Sequence, residues 1–220
     1  MPFSGTRSGE ILDELRKRIC LWTDGERLVL RETALAEEFN VSRTPIRQIL
    51  QELAVEGMVE VQPGVGSVAT ALETQDRELE LKVLGQCALA AAACAENGRI
   101  PHETRTGLTM IEARLAQSDV DAETYAAIYA DLINALCGVV THHVTFVSLK
   151  FSLWRTARWR LRDFQGDPQG TWTLTTQYVA MLRASQQFDS AALMLRTIAT
   201  LAENMSPQIT RMTSLPTESM

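Results

Sequence analysis

LRETALAEEFNVSRTPIRQILQELAVEGMVEVQPGVGSV, residues 30–68, is the stretch on which the fold turns. Leu35, Ala36, Phe39 and Val41, then Ile46, Ile49, Leu50, Leu53 and Ala54, make two short apolar stripes at helical spacing. Asn40 and Val41 separate them, and Asn is the ordinary residue that tolerates a left-handed turn between helices. Ser42 suits the N-cap of the second helix, and Pro45 falls in its first turn, where a missing N–H costs little. Two strand-like runs follow, residues 58–61 and 67–70. They flank Gln62-Pro63-Gly64-Val65-Gly66, which predicts a hairpin tip. The pattern predicts a helix-turn-helix followed by a wing.

The second helix opens with Ser42, Arg43, Thr44 and Arg47 on the side opposite its apolar stripe. The N-terminal residues of such a helix reach base edges in the major groove. Arg grips guanine through O6 and N7, and Ser and Thr hydroxyls anchor phosphates. The bland alternative is a solvated face that happens to carry two arginines. The wing at the right distance argues for the DNA reading.

This run closely resembles the winged helix of GntR-type bacterial transcriptional regulators, in its VSRTPxR core, its EGxV and its GxG wing tip. The resemblance implies that Arg43 and Arg47 read bases, that Ser42 and Thr44 touch phosphate or base edges, and that Gly64 and Gly66 shape the wing. Thr33 stands where many relatives place a DNA-contacting arginine. Arg31 lies two residues away.

The chain has 220 residues, 45% hydrophobic and 22% charged, enough for one large or two small domains. Charged residues interrupt every apolar run, so no membrane span is expected, and the first seven residues lack a signal peptide's apolar core. Cys20, Cys87, Cys94 and Cys137 lie in apolar helical surroundings without a CxxC pair. They are expected to be buried thiols in a reducing cytoplasm. Net charge is −6, and residues 1–72 are acidic by count, so any basic footprint for DNA must be local. Arg7, Arg16, Lys17, Arg18, Arg43 and Arg47 would have to gather on one side, giving salt-sensitive binding. The run from Gly9 to Trp22 predicts a supporting helix whose Arg16-Lys17-Arg18 triplet is a solvated face or a phosphate contact. Thr23 to Glu26 predicts a turn.

Beyond Thr70 the chain reads as helix almost to its end. A connector, residues 71–75, offers Thr74 as an N-cap. Helices are expected over 79–95, 102–116, 122–140, 145–164, 172–187 and 190–205, with 118–121 and 165–170 as links. The expected architecture is mainly α: an N-terminal winged helix-turn-helix domain, 1–72, and a C-terminal all-helical antiparallel bundle, 73–220. By order and size the bundle is similar to the FadR-type (FCD) effector domain. Many members of that class hold a metal through an Asp and a His four apart on one helix and two more His. Alignment on Asp131 puts Ala135, Tyr178 and about Thr200 at the three histidine positions. Zinc-like ions need imidazole or thiolate donors, and the chain has only His102, His142 and His143. The adjacent pair does not make a chelating face alone, so no metal and no cofactor are expected.

The pocket the resemblance implies is then Asp131, Asn134, Ala135, Tyr178 and Thr200, hydroxyl and amide groups in an apolar shell. An ordinary exposed carboxylate is the plain alternative for Asp131. The most cationic stretch, KFSLWRTARWRLR at 150–162, puts Arg155, Arg158 and Arg162 on one helical face. Its bland reading is a solvated basic face with Trp154 and Trp159 buried. Its sharper reading is that Arg155 or Arg158 receives an acidic effector. No nucleophile–base–orienter set and no phosphate loop is present, so an enzyme is not expected. An architectural DNA binder would leave the bundle without a purpose. The reading is a cytoplasmic, homodimeric, operator-binding regulator, a repressor modulated by a small, acidic effector. The competing reading is a regulator whose bundle serves only to dimerise.

Overall fold

The structure, a computed structural model, describes residues 7–22, 27–116 and 121–212. The turn expected at Thr23–Glu26, the link residues 118–120 and the first six residues lie outside the described residues. The first third consists of α1 (Arg7–Leu21), β1 (Val29–Leu30), α2 (Glu32–Glu38), α3 (Arg43–Val55), β2 (Val59–Gln62) and β3 (Gly66–Ala69). Six long helices follow: α4 (Arg77–Cys94), α5 (His102–Leu115), α6 (Ala122–Cys137), α7 (His143–Gly166), α8 (Pro168–Ser185) and α9 (Ala191–Met212). The winged helix-turn-helix and the all-helical bundle are both as expected.

In the winged-helix part the apolar stripes meet. Leu12, Leu15 and Ile19 of α1, Leu35 of α2 and Ile46, Ile49 and Leu53 of α3 are all buried. Asn40 takes the left-handed backbone, φ 50°, between α2 and α3. The sheet is antiparallel with order β1-β3-β2; Leu30 pairs with Ser67 and Gln62 with Gly66. Side chains Met58, Val59, Val68 and Ala69 close the core from the sheet side.

The bundle is organised by α4 and α7, which pack on each other, with α9 along α4 and α6 and α8 along α7. The starts of α6 and α8 carry side-chain caps. Asp121 accepts from the Thr124 N–H at 2.7 Å, and Asp167 accepts from the Gly170 N–H at 2.9 Å with Pro168 in the first turn. Thr74 does not cap: it opens a short 3₁₀ turn, Thr74–Asp76, and Asp76 stands at the N-cap of α4. The cysteines also divide. Cys20 and Cys137 are buried, whereas Cys87 is half-buried and Cys94 exposed, because α4 turns their face partly outward.

The two parts meet along α1 and α7. Arg16 is 1% exposed and grips Glu56 with Nε and Nη2, with Asp13 and Glu52 beside it and the Trp154 ring at 5.1 Å. The expected solvated triplet is thus corrected: α1 is covered on one side by α3 and on the other by α6 and α7. An isolated winged helix would leave that side wet. Lys17 and Arg18 stay nearer the surface, paired with Glu123 and Glu38.

Candidate nucleic-acid interface

Helix α3 presents its polar edge outward. Ser42, Arg43, Thr44 and Arg47 are exposed, while Ile46, Ile49, Leu50 and Leu53 face the core. Ser42 sits at the N-cap position with extended backbone, φ −71° and ψ 164°, but its side chain makes no capping bond. Its hydroxyl is therefore not spent on the helix end. The wing stands beside this edge. Gly64 has φ 76° and Gly66 φ 129°, both in the region that favours glycine. At Gly66 space matters too, since a Cβ there would lie 3.1 Å from the Leu30 carbonyl oxygen.

Between α2, α3 and the wing runs a groove of about 610 Å³ that brings Thr33, Arg47, Gly64 and Gly66 together with Arg31. Ser42, Arg43 and Thr44 lie further along the same exposed edge rather than in that groove. Thr33 itself is exposed on α2, and Arg31, exposed and immediately before that helix, adds a cation to the groove. Arg47 is 61% exposed and makes a two-pronged bond to Glu32, Nε to Oε1 at 3.0 Å and Nη2 to Oε2 at 2.9 Å. The bond holds the Glu32 carboxyl below the usual carboxylate range, with the Arg47 and Arg43 charges adding to it. An ion pair this exposed is weak, so Arg47 changes partner easily. What sequence reading missed is this carboxylate, although Glu32 precedes Thr33 directly.

The basic cluster expected from α1 does not form. Arg16 is inside, and Arg18 is bound to Glu38 at 3.1 and 2.6 Å. Arg7 donates to the Phe39 carbonyl just after α2 at 2.8 Å.

The residues expected to line an effector pocket are not brought together. Asp131 is 56% exposed and paired with Arg114. Asn134 and Thr200 are exposed, and the Thr200 hydroxyl bonds the Arg196 carbonyl of its own helix at 3.2 Å. Ala135 is half-buried, its carbonyl receiving the Thr104 hydroxyl at 3.0 Å. Of that set Ala135 and Tyr178, both half-buried, pack against the core. The reason is helical phase. The buried stripe of α6 is Tyr125, Ile128, Leu132 and Leu136, and Asp131 falls outside it. The inward pair four apart is Tyr125 and Tyr129, with ring centroids 5.9 Å apart.

Arg155 and Arg158 are corrected as well. Arg155 Nε donates to Glu80 at 2.9 Å and Nη1 to the Gly57 carbonyl at 3.1 Å. Arg158 Nη1 donates to the Thr70 hydroxyl at 2.8 Å, and Arg162 Nη1 to the Leu72 carbonyl at 3.2 Å. Gln165 Nε2 reaches the Leu21 carbonyl at 3.2 Å. The face expected to be solvated, or to take an effector, is instead the seam between α7 and the winged helix. Trp154 and Trp159 are buried as expected, and Trp159 donates to Glu80 at 2.6 Å. Among the described residues no three His, Cys, Asp or Glu side chains converge as metal donors would, and no helix is long and apolar enough to cross a membrane.

Residues 7–68 match the family model described as "Bacterial regulatory proteins, gntR family". Among solved structures, E. coli McbR/YncC superposes with a TM-score of 0.66 at 15% identity, over 95% of this chain and 99% of that one. A putative transcriptional regulator GntR from Rhodococcus sp. RHA1 gives a TM-score of 0.52 at 17% identity, over 96% and 99%. At these identities the likeness speaks to fold, and it spans both the winged helix and the bundle. No curated protein matches the chain.

Proposed function

We propose that this DNA-binding transcriptional regulator of the GntR family is a homodimeric repressor whose helical bundle, from about residue 73, binds a small effector and passes the event to the winged helix. It is a transcription factor, not an enzyme. The observation that carries the reading is the exposed edge of α3, where Ser42, Arg43, Thr44 and Arg47 stand clear of the core beside the wing. Arg43 and Arg47 read base edges, Ser42 and Thr44 bond phosphate, and Thr33 and the Gly64–Gly66 tip approach the flanking groove.

One winged helix reads only a few base pairs, and a two-fold dimer reads two half-sites. A surface that suits a second copy lies on the bundle. Leu79 and Val83 of α4 are 62% and 44% exposed beside Phe151 of α7, and Val144 and Val147 continue that stripe at 63% and 45%. Contiguous exposed apolar surface of this kind marks an interaction site. Effector binding in the bundle would shift the equilibrium between two placements of the winged helices, through the polar seam on α7.

The test is selection of bound sequences from a random DNA pool by the full chain, with light scattering of the free and bound protein. A motif with two related half-sites on a dimer is expected. A protein that is monomeric with and without DNA, or that enriches no motif, would refute the reading.

A further inference from the structure

Inside the bundle, Arg160 of α7 is 4% exposed. It makes a long hydrogen bond, Nη1 to Asp163 Oδ2 at 3.4 Å, and lies against the Tyr125 hydroxyl; the Asp163 carboxylate is already gripped by Arg77, Nη1 to Oδ1 at 2.8 Å. Arg160 Nε and Nη2 have no hydrogen-bond partner among the described residues. Buried guanidinium nitrogens without acceptors are costly, and interiors satisfy them almost without exception.

The identity of the two nitrogens points to the acceptor. The N–H bonds of Nε and Nη2 run parallel along one side of a guanidinium and match the two oxygens of a carboxylate. The same pair of nitrogens grips a carboxylate elsewhere in the molecule, and Arg155 puts both on Glu80 Oε1. Arg47 holds Glu32 with Nε and Nη2, and Arg16 holds Glu56 with Nε and Nη2. Arg160 offers the same fork in the bundle interior.

A second group points to the same place. The Tyr178 hydroxyl is buried with no hydrogen-bond partner among the described residues, and the Tyr178 ring lies 5.5 Å from the Arg160 guanidinium carbon. The neighbouring phenol of Tyr125 bonds Thr175 at 2.7 Å and also lies against Arg160. Tyr125 stacks on Phe164 at 4.3 Å and tilts against Trp172 at 6.3 Å, so the surroundings are aromatic. Burial pushes the phenols of Tyr125, Tyr129 and Tyr178 upward, so they face the cation as neutral groups. With Asp163 balanced by Arg77, one positive charge remains. A monocarboxylate matches it, whereas a phosphate dianion would add a second charge to a dry site.

We propose that Arg160 receives the carboxylate of a small apolar monocarboxylic acid, held by its Nε–Nη2 fork and by the Tyr178 hydroxyl. The proposal rests on the effector reading above and replaces Arg155 and Arg158 as the anchor. The acid would supply acceptors to Nε and Nη2, which have none among the described residues.

The experiment is a thermal-melting and calorimetric titration of the full chain with acetate, butyrate and benzoate, against acetamide, butyramide, benzamide and inorganic phosphate. At least one carboxylate is expected to raise Tm by about 2 °C or more at roughly 10 mM, with its amide and phosphate inactive. Arg160→Met should melt no lower than the parent and lose the shift. Arg160→Lys keeps the charge without the fork and should weaken binding about tenfold or more, and Tyr178→Phe should weaken it less. The proposal is overturned if no carboxylate stabilises the chain, if the amide works equally, or if Arg160→Met keeps the shift. It is also overturned if Arg160→Met melts far below the parent, which would make the guanidinium a structural strut. DNA affinity in the same samples separates the two claims. Carboxylate binding without a change in DNA affinity supports the Arg160 site and refutes the effector reading. A change in DNA affinity that persists in Arg160→Met supports the effector reading and refutes the site.

Discussion

Helices α3 and α7 both carry arginines at three-or-four spacing, and the sequence alone makes their polar faces look alike. In α3, Arg43 and Arg47 stay on the outside because none of the described residues covers that edge. In α7, Arg155, Arg158 and Arg162 are drawn into bonds with Gly57, Thr70 and Leu72, about ninety residues away in sequence. Charge and helical period say that a face is polar. Whether a distant element covers it is decided by tertiary packing, which no local window contains. The lesson extends to Arg16 and Arg47, which make the same fork to a carboxylate at opposite extremes of burial.

That contrast can be pressed. Arg16→Ala leaves Glu56, itself 7% exposed, without its partner at the seam. Loss of one member of a buried pair costs about 3–5 kcal/mol, so chemical denaturation should show a fall of that order, whereas Arg47→Ala should leave stability unchanged. Equal effects would mean that burial does not separate the two pairs. A smaller effect is expected at Gly57, where φ is 65° and a Cβ would lie 2.7 Å from Arg155 Nη1. Gly57→Ala should cost about 1–3 kcal/mol and loosen the seam, seen as faster amide exchange at Thr70. Stability and exchange that both match the parent would show that Arg155 does not brace this turn.

The smallest perturbation is chemical labelling of native thiols at pH 8. Burial pushes Cys20 and Cys137 up to about 12, so both stay protonated and covered. Cys94 is exposed and Cys87 half-buried. Fast modification of Cys94, slower modification of Cys87 and protection of the other two are expected. Prompt labelling of Cys20 would mean that the seam opens readily.

Much of the fold was legible before the structure. The α2–α3 turn was written in Asn40, the wing in Gly64 and Gly66, and the long helices in their apolar period. Local chemistry sufficed because each of these features is settled within a few residues. The exposed polar edge of α3 was legible for the same reason, its Glu32 partner apart. The bundle interior was not. Asp131 holds the position that the resemblance points to, yet the phase of α6 turns it outward and turns Tyr125 and Tyr129 inward. Arg160 escaped notice because it sits off the 155–158–162 face, among residues that read as core. On a helical wheel Arg160 falls among Leu149, Leu153, Thr156 and Phe164, all buried, and that was the available signal.

The central claim is that sequence recognition lives on α3 and that the α7 cations act within the protein. The direct measurement is fluorescence anisotropy of Arg43→Ala, Arg47→Ala and Arg155→Ala on the selected operator and on single-base variants of it, at fixed salt. The account predicts that Arg43→Ala and Arg47→Ala each lose about 10- to 100-fold in operator affinity and relax preference at one position per half-site, with unchanged folding. Arg155→Ala should retain the preference at every position. A uniform loss in the α3 variants, or a position-specific loss in Arg155→Ala, would contradict it.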